Sequence, residues 1–258
     1  MARIFITGSS DGLGRMAARL LVSEGHEVVL HARNRERAAA ARTGVPGAEE
    51  VLTGELSDIK ETIQLAEQGN RSGPFDAIIH NAGIGSGERR RIETGDGLSH
   101  VFAINSLAPY ILTCLITRPG RLIYLSSGLQ QGGTPDMTDL AWQHKPWNGF
   151  QAYSDSKLQD LMLAFAVARK WPSVYSNGVD PGWVATKMGG PGAPDNLEEG
   201  AKTQVWLAVS DDPAAQSTGK FFHHRKIRKP NPAAESPQIQ EEYLKHCARF
   251  SGIAFPEK

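Results

Sequence analysis

Arg3-Ile4-Phe5-Ile6-Thr7-Gly8-Ser9-Ser10-Asp11-Gly12-Leu13-Gly14 decides the fold. A short apolar, β-branched run stops at a glycine-rich turn, and residues 13–23 then carry helical periodicity. Strand, glycine turn and helix in immediate succession is the context in which such glycines mark a dinucleotide-binding βα unit. Gly8 allows the tight turn, Gly12 lets the backbone approach a pyrophosphate at the helix N-terminus, and Gly14 lets the helix pack closely on the sheet. Ser10 and Leu13 lie in the same loop and join the candidate cofactor contacts.

The alternation continues outward. Runs at 27–30, 50–52, 76–79, 121–125 and 174–179 read as buried strands, and 35–42, 59–67, 97–115 and 152–170 read as helices. Two more helices, over 197–209 and 238–250, flank a short strand at 220–222. Strand and helix taking turns predict an α/β fold: one Rossmann-type domain over residues 1–258, a doubly wound parallel sheet with helices on both faces. Gly- and Pro-rich loops near 128–150 and 187–197 fall where such sheets build their substrate side.

Composition narrows the function classes. A chain of 258 residues with 40% hydrophobic residues can bury one large core, and 28 acidic against 28 basic residues leave no net field for nucleic acid or an anionic membrane. Cys114 and Cys247 are far apart and outside metal-ligand spacing, so neither a disulfide scaffold nor a metal site is expected. No leader precedes the first strand and no run of about 20 apolar residues occurs, which makes a cytoplasmic location without a membrane span the expectation.

Two further signals bear on chemistry. Tyr153 and Lys157 are four apart in a helical segment, a spacing that stacks a phenol beside an ammonium; the positive charge stabilises a phenolate and suits the pair to general acid/base work. At the end of the second strand stands His31-Ala32-Arg33-Asn34-Arg35, where an acidic residue would accept a ribose hydroxyl; Ala32 is neutral and Arg33 can clamp a 2′-phosphate. NADP(H) is therefore expected over NAD(H), with Arg35 and Arg37 read as a solvated helix face and Asp11 adding no basic contact.

With these residues in hand, the chain resembles the short-chain dehydrogenase/reductase family over nearly its whole length. The matching motifs are Thr7 to Gly14, Asn81-Ala82-Gly83, Asn105 in a helix, Leu125-Ser126-Ser127, the Tyr153/Lys157 pair and Pro181-Gly182. The glycine spacing and the short C-terminus are similar to the compact branch rather than to the sugar-nucleotide epimerases. The long interval from Ser127 to Tyr153 and the run Asp180-Pro181-Gly182-Trp183-Val184-Ala185-Thr186 resemble the retinol dehydrogenase and protochlorophyllide reductase-like subgroup.

The resemblance implies an NADP(H)-dependent oxidoreductase acting on a carbonyl or alcohol, with Tyr153 as general acid/base, Ser127 bonded to the substrate oxygen, Lys157 tuning Tyr153 and holding ribose, and Asn105 holding a water. It implies cofactor contacts from Glu55, Leu56, Asn81, Ala82, Gly83, Pro181, Gly182, Val184 and Thr186. Glu55 departs from the family's usual aspartate, and the short segment from 105 to 120 leaves open whether the chain forms a homodimer or homotetramer. Ser126 is the rival of Ser127, since strand alternation sends the two side chains to opposite faces. Trp142, Trp147, Phe150 and Trp183 are candidates either for an apolar substrate pocket or for core packing. A glycine loop over 189–192 is either a lid or a connector. The rival class is a non-catalytic NAD(P) sensor on the same fold; the substrate and the physiological direction stay open.

Overall fold

Ile4, Phe5 and Ile6 are fully buried, which is why the first strand is apolar without alternation: a parallel sheet covered on both faces has no wet side. The computed structural model describes residues 1–257. The first strands and helices are β1 (Arg3–Ile6), α1 (Gly12–Ser23), β2 (Glu27–Ala32), α2 (Arg35–Gly44), β3 (Glu50–Thr53), α3 (Ile59–Ser72) and β4 (Ala77–His80). There follow α4 (His100–Phe102), α5 (Ala108–Leu115), β5 (Arg121–Leu125), α6 (Gly149–Lys170), β6 (Tyr175–Asp180) and α7 (Leu197–Val209). The chain closes with β7 (Phe221–His223), β8 (Lys226–Arg228), α8 (Pro232–Glu235) and α9 (Pro237–Ser251).

Among the described residues the strands form one sheet in the order β3-β2-β1-β4-β5-β6-β7-β8, parallel except for the last pair. Alternate residues feed two cores. Phe5 and Val29 join the layer built with α3, α5, α6 and α9, while Ile4, Ile6, Val28 and Leu30 join the layer built with α1 and α7. The winding direction reverses between β1 and β4, and the crevice at their carboxyl ends is where such sheets bind ligands. Polar side chains start the helices around it: Asp11 caps α1, Asn34 caps α2, Asp58 caps α3 and Asn148 caps α6.

Two expectations need correction. The single helix expected over 97–115 is composite: Ser99 caps α4, residues Ala103–Leu107 form a π-helical turn, and α5 resumes afterwards. Such a turn inserts one residue into the helical ladder and re-aims a side chain, here Asn105. The helix expected over 152–170 begins earlier, at Gly149, because Asn148 accepts from the Gln151 amide. The basic run 223–229 pairs β8 antiparallel to β7 through a two-residue turn with His224 and Arg225 at φ of 48 and 60°. Its charges sit on an edge strand, where they discourage pairing with another chain.

Candidate active site

The glycine-rich loop is held by its neighbours rather than by itself. The Gly8 amide donates to His31 Nδ1 at 3.0 Å, so Nδ1 accepts and Nε2 carries the proton that it donates to Gly54 O at 2.9 Å. Burial lowers the proton affinity of His31 and keeps this neutral tautomer in place. Sequence reading passed over His31; its place one residue before Ala32 was the available signal.

Across the crevice, the Thr7 hydroxyl accepts from the Asn81 and Ala82 amides, both at 3.0 Å, and Asn81 Nδ2 donates back to Thr7 O at 2.9 Å. These bonds tie the Asn81-Ala82-Gly83 strip to the loop after β1. Gly14 is required here, because a Cβ would strike Asn81 Nδ2 and lie 2.6 Å from Gly8 O. Gly14→Ala is expected to lower stability by about 1–3 kcal/mol through overpacking, and to weaken nicotinamide-cofactor binding along with it; thermal unfolding and cofactor fluorescence titration read the two effects.

The far end of the crevice opens into a cleft of about 400 Å³ lined by Arg33, Asn34, Arg35, Thr53, Gly54, Glu55 and Glu61. Arg33, which lines it, is exposed, and Leu56, next to Glu55 in sequence, is buried. Arg37 does not belong to a solvated face: its guanidinium donates to Ser10 Oγ at 3.1 Å and lies 3.4 Å from Asp11. Asp11 also meets Lys187 at 2.6 Å, so the acidic residue gathers basic side chains around the loop instead of excluding them. Lys187, then the Gly12 amide and Arg37, hold the Asp11 carboxyl down at about 2 against partial burial. Thr186 lies beside the same loop, its methyl 3.4 Å from where a Gly12 Cβ would stand. Pro181, Gly182 and the buried Val184 lead into that segment after β6.

The serines after β5 divide as strand alternation requires. Ser126 is buried and its hydroxyl donates to Lys157 O at 2.6 Å, which commits it to structure. Ser127 is partly exposed, and its Oγ accepts from the Leu129 amide at 3.2 Å, leaving the hydroxyl proton to offer outward. Tyr153, half-buried on α6, lies near Lys157, whose Nζ is 5.7 Å from the phenol ring centre. Lys157 is buried; Nζ donates to Leu125 O at 2.7 Å and to Asp160 Oδ2 at 2.9 Å. It also lies 3.5 Å from where a Gly83 Cβ would stand. Burial works against the Lys157 charge, but Asp160 and Tyr153 together outweigh it and raise the ammonium's hold on its proton.

Asn105 points from the π-turn into this region. Its Oδ1 accepts from the Ile84 amide at 2.8 Å, and Nδ2 donates to Ile84 O and Ser156 Oγ, each at 3.0 Å. The side chain is therefore occupied in fixing the strip after β4 onto α6. Of the four aromatics, Trp142 packs edge-on against Trp147 with Val101 and Ala152, and Trp147 donates to Glu88 O; both brace the long loop. Phe150 and Trp183 are 56% and 60% exposed, the two of the four that face solvent.

Residues 2–196 match the family model described as short chain dehydrogenase. The chain belongs to the short-chain dehydrogenase family. An uncharacterized oxidoreductase AN7799 of Emericella nidulans is 47% identical over 99% of both chains. Among solved structures, an uncharacterized protein from Mycobacterium paratuberculosis superposes with a TM-score of 0.85 at 23% identity, covering 99% of this chain and 95% of its own. A blue fluorescent protein from a metagenomic library, in complex with NADPH, gives 0.68 at 21% identity over 86% and 95%. As an oxidoreductase of this family the protein handles small molecules with a nicotinamide cofactor, and no helix among the described residues is long and apolar enough to cross a membrane.

Proposed function

We propose that the protein is an NADP(H)-dependent oxidoreductase that interconverts a carbonyl and an alcohol, with Tyr153 as the general acid/base. The observation that carries this reading is the buried Lys157 ammonium, set between the Tyr153 ring and the Gly83 strip. The residues present fit a dinucleotide: a glycine-lined helix start for the pyrophosphate, and a cleft lined by Arg33 for the adenosine end. When bound, the nicotinamide supplies or accepts the hydride.

The chain's own residues manage the proton. Tyr153 gives its phenolic proton to the substrate oxygen as charge develops there. Ser127 donates a hydrogen bond to the same oxygen from a preorganised position, since its Oγ already accepts from the Leu129 amide. Lys157 favours the phenolate that Tyr153 becomes, and Asn105 holds the neighbouring backbone in place. Phe150 and Trp183 offer apolar surface to a bulky substrate.

The test is a panel of aliphatic aldehydes, aromatic ketones, steroids and retinoids with NADPH consumption followed by absorbance. Turnover of at least one class is expected, and tight NADPH binding without turnover across the panel would overturn the enzyme reading in favour of a sensor. Arg33→Ala is expected to weaken NADPH by about tenfold or more, the loss of one charge-assisted bond of about 1.5–3 kcal/mol, and to leave NADH nearly unchanged. Equal weakening of both cofactors would remove the 2′-phosphate assignment.

A further inference from the structure

Asp160 has no part in the proton transfer just described, yet it is buried beneath it. Its carboxylate is 4% exposed and meets Lys157 at 2.9 Å, three residues along the same helix face. An ammonium has three N–H donors. Leu125 O takes one and Asp160 takes another, so one is left for the side that holds Tyr153 and Gly83. The other ionisable groups that face Asp160 are Tyr124 from β5 and Tyr243 from α9. Both are buried phenols driven far above their ordinary range by desolvation, so they stay neutral, and Lys157 is the cation paired with the carboxylate.

We propose that Asp160 is a positioning residue that shares the Lys157 charge with Tyr153 and so sets how strongly the phenolate is favoured. This rests on Tyr153 and Lys157 acting as the proton-transferring pair. A lone buried ammonium would press its full field on the phenol; a carboxylate 2.9 Å from Nζ makes the pair nearly neutral as seen from Tyr153. The phenol then keeps its proton to higher pH than an unpaired Lys157 would allow. A donor that holds its proton more firmly suits reduction of a carbonyl more than oxidation of an alcohol, so Asp160 biases the working direction of the site.

The chain itself provides the readout. It has five tyrosines, and burial drives Tyr110, Tyr124 and Tyr243 far above the ordinary phenol range, which keeps their phenolates out of the step to be followed. Phenolate absorbance is followed against pH in the full-length protein, and the step that vanishes in Tyr153→Phe is assigned to Tyr153. Asp160→Asn is expected to move that step to lower pH by about one unit or more, a tenfold change in proton affinity of the size one nearby charge produces. Asp160→Glu, which restores the carboxylate, is expected to return it most of the way. A step that stays in place or moves to higher pH in Asp160→Asn overturns the proposal, even if the variant is less stable. Should the amide not be accommodated, Asp160→Ser offers an uncharged hydroxyl to Lys157 and is held to the same outcomes. No turnover is needed, so an inactive substrate panel would defeat the proposed function without touching this result.

Discussion

Tyr153→Phe is expected to lower the rate of carbonyl reduction by about 10²- to 10⁴-fold, the usual contribution of one positioned proton donor. The substitution keeps the ring that faces Lys157 Nζ at 5.7 Å and removes only the hydroxyl. Helix α6 keeps its Asn148 cap, and the buried pair of Lys157 and Asp160 below the ring is untouched. NADPH affinity measured by fluorescence should therefore stay near that of the parent, and thermal unfolding should shift little. Loss of rate with binding retained separates chemistry from cofactor capture. Ser127→Ala supplies the contrast: it removes an oxyanion donor but leaves the proton source, with an expected loss of about 10²- to 10³-fold. A Tyr153→Phe variant with full turnover would place the proton donor elsewhere.

How much of this was legible depended on whether the determinant was local. The βα alternation was readable because β1, β4 and β5 are largely apolar runs and the starts of α1, α2 and α3 carry capping side chains. The strand after α7 was readable for the same reason, in Phe221 and Phe222. Its partner β8 was not, since Lys226-Ile227-Arg228 presents two charges and one exposed apolar residue and pairs only because His224 and Arg225 accept positive φ. The π-turn at Ala103–Leu107 leaves no periodic signature; it is the register at which Asn105 meets both backbone groups of Ile84, 21 residues away in sequence.

The site followed the same rule. Tyr153, Lys157 and the glycines announce themselves through spacing, and strand alternation sorted Ser126 from Ser127 in the sense that only one hydroxyl is committed inward. Arg37 was misread because a charged residue in the first turn of a helix is usually solvated, whereas this one is drawn back over the loop by Asp11 and Ser10. Asp160 carried a signal that went unused: a carboxylate three residues after Lys157 shares its helix face. What spacing could not show is that both ends of the pair are buried, and burial changes its consequences.

Those consequences make Lys157→Met the most damaging single change expected. Removing the ammonium ends its field on Tyr153, so turnover should fall at least as far as in Tyr153→Phe. It also strands Asp160, a carboxylate 4% exposed with its cation gone. Breaking a buried pair from one side costs about 3–5 kcal/mol, because the remaining charge has neither water nor partner. The double variant Lys157→Met/Asp160→Asn removes both charges and should regain most of that stability while staying inactive. The pH dependence follows from the direction of the Asp160 shift. Burial already raises its carboxyl to about 6 with Lys157 present, and losing Lys157 raises it further. A group whose proton affinity is higher in the folded than in the unfolded chain favours folding at pH below its unfolded value of 3.8 and loses that contribution as pH rises through the folded value. Below about 6 Asp160 is protonated in both folded proteins, so the stability gap between parent and Lys157→Met should be flat there and should widen as pH rises above 6 toward the higher folded value of the variant, measured by urea unfolding at each pH. A gap independent of pH, or a double variant no more stable than the single one, would show that Lys157 supports the fold through packing alone, with Asp160 a neutral bystander.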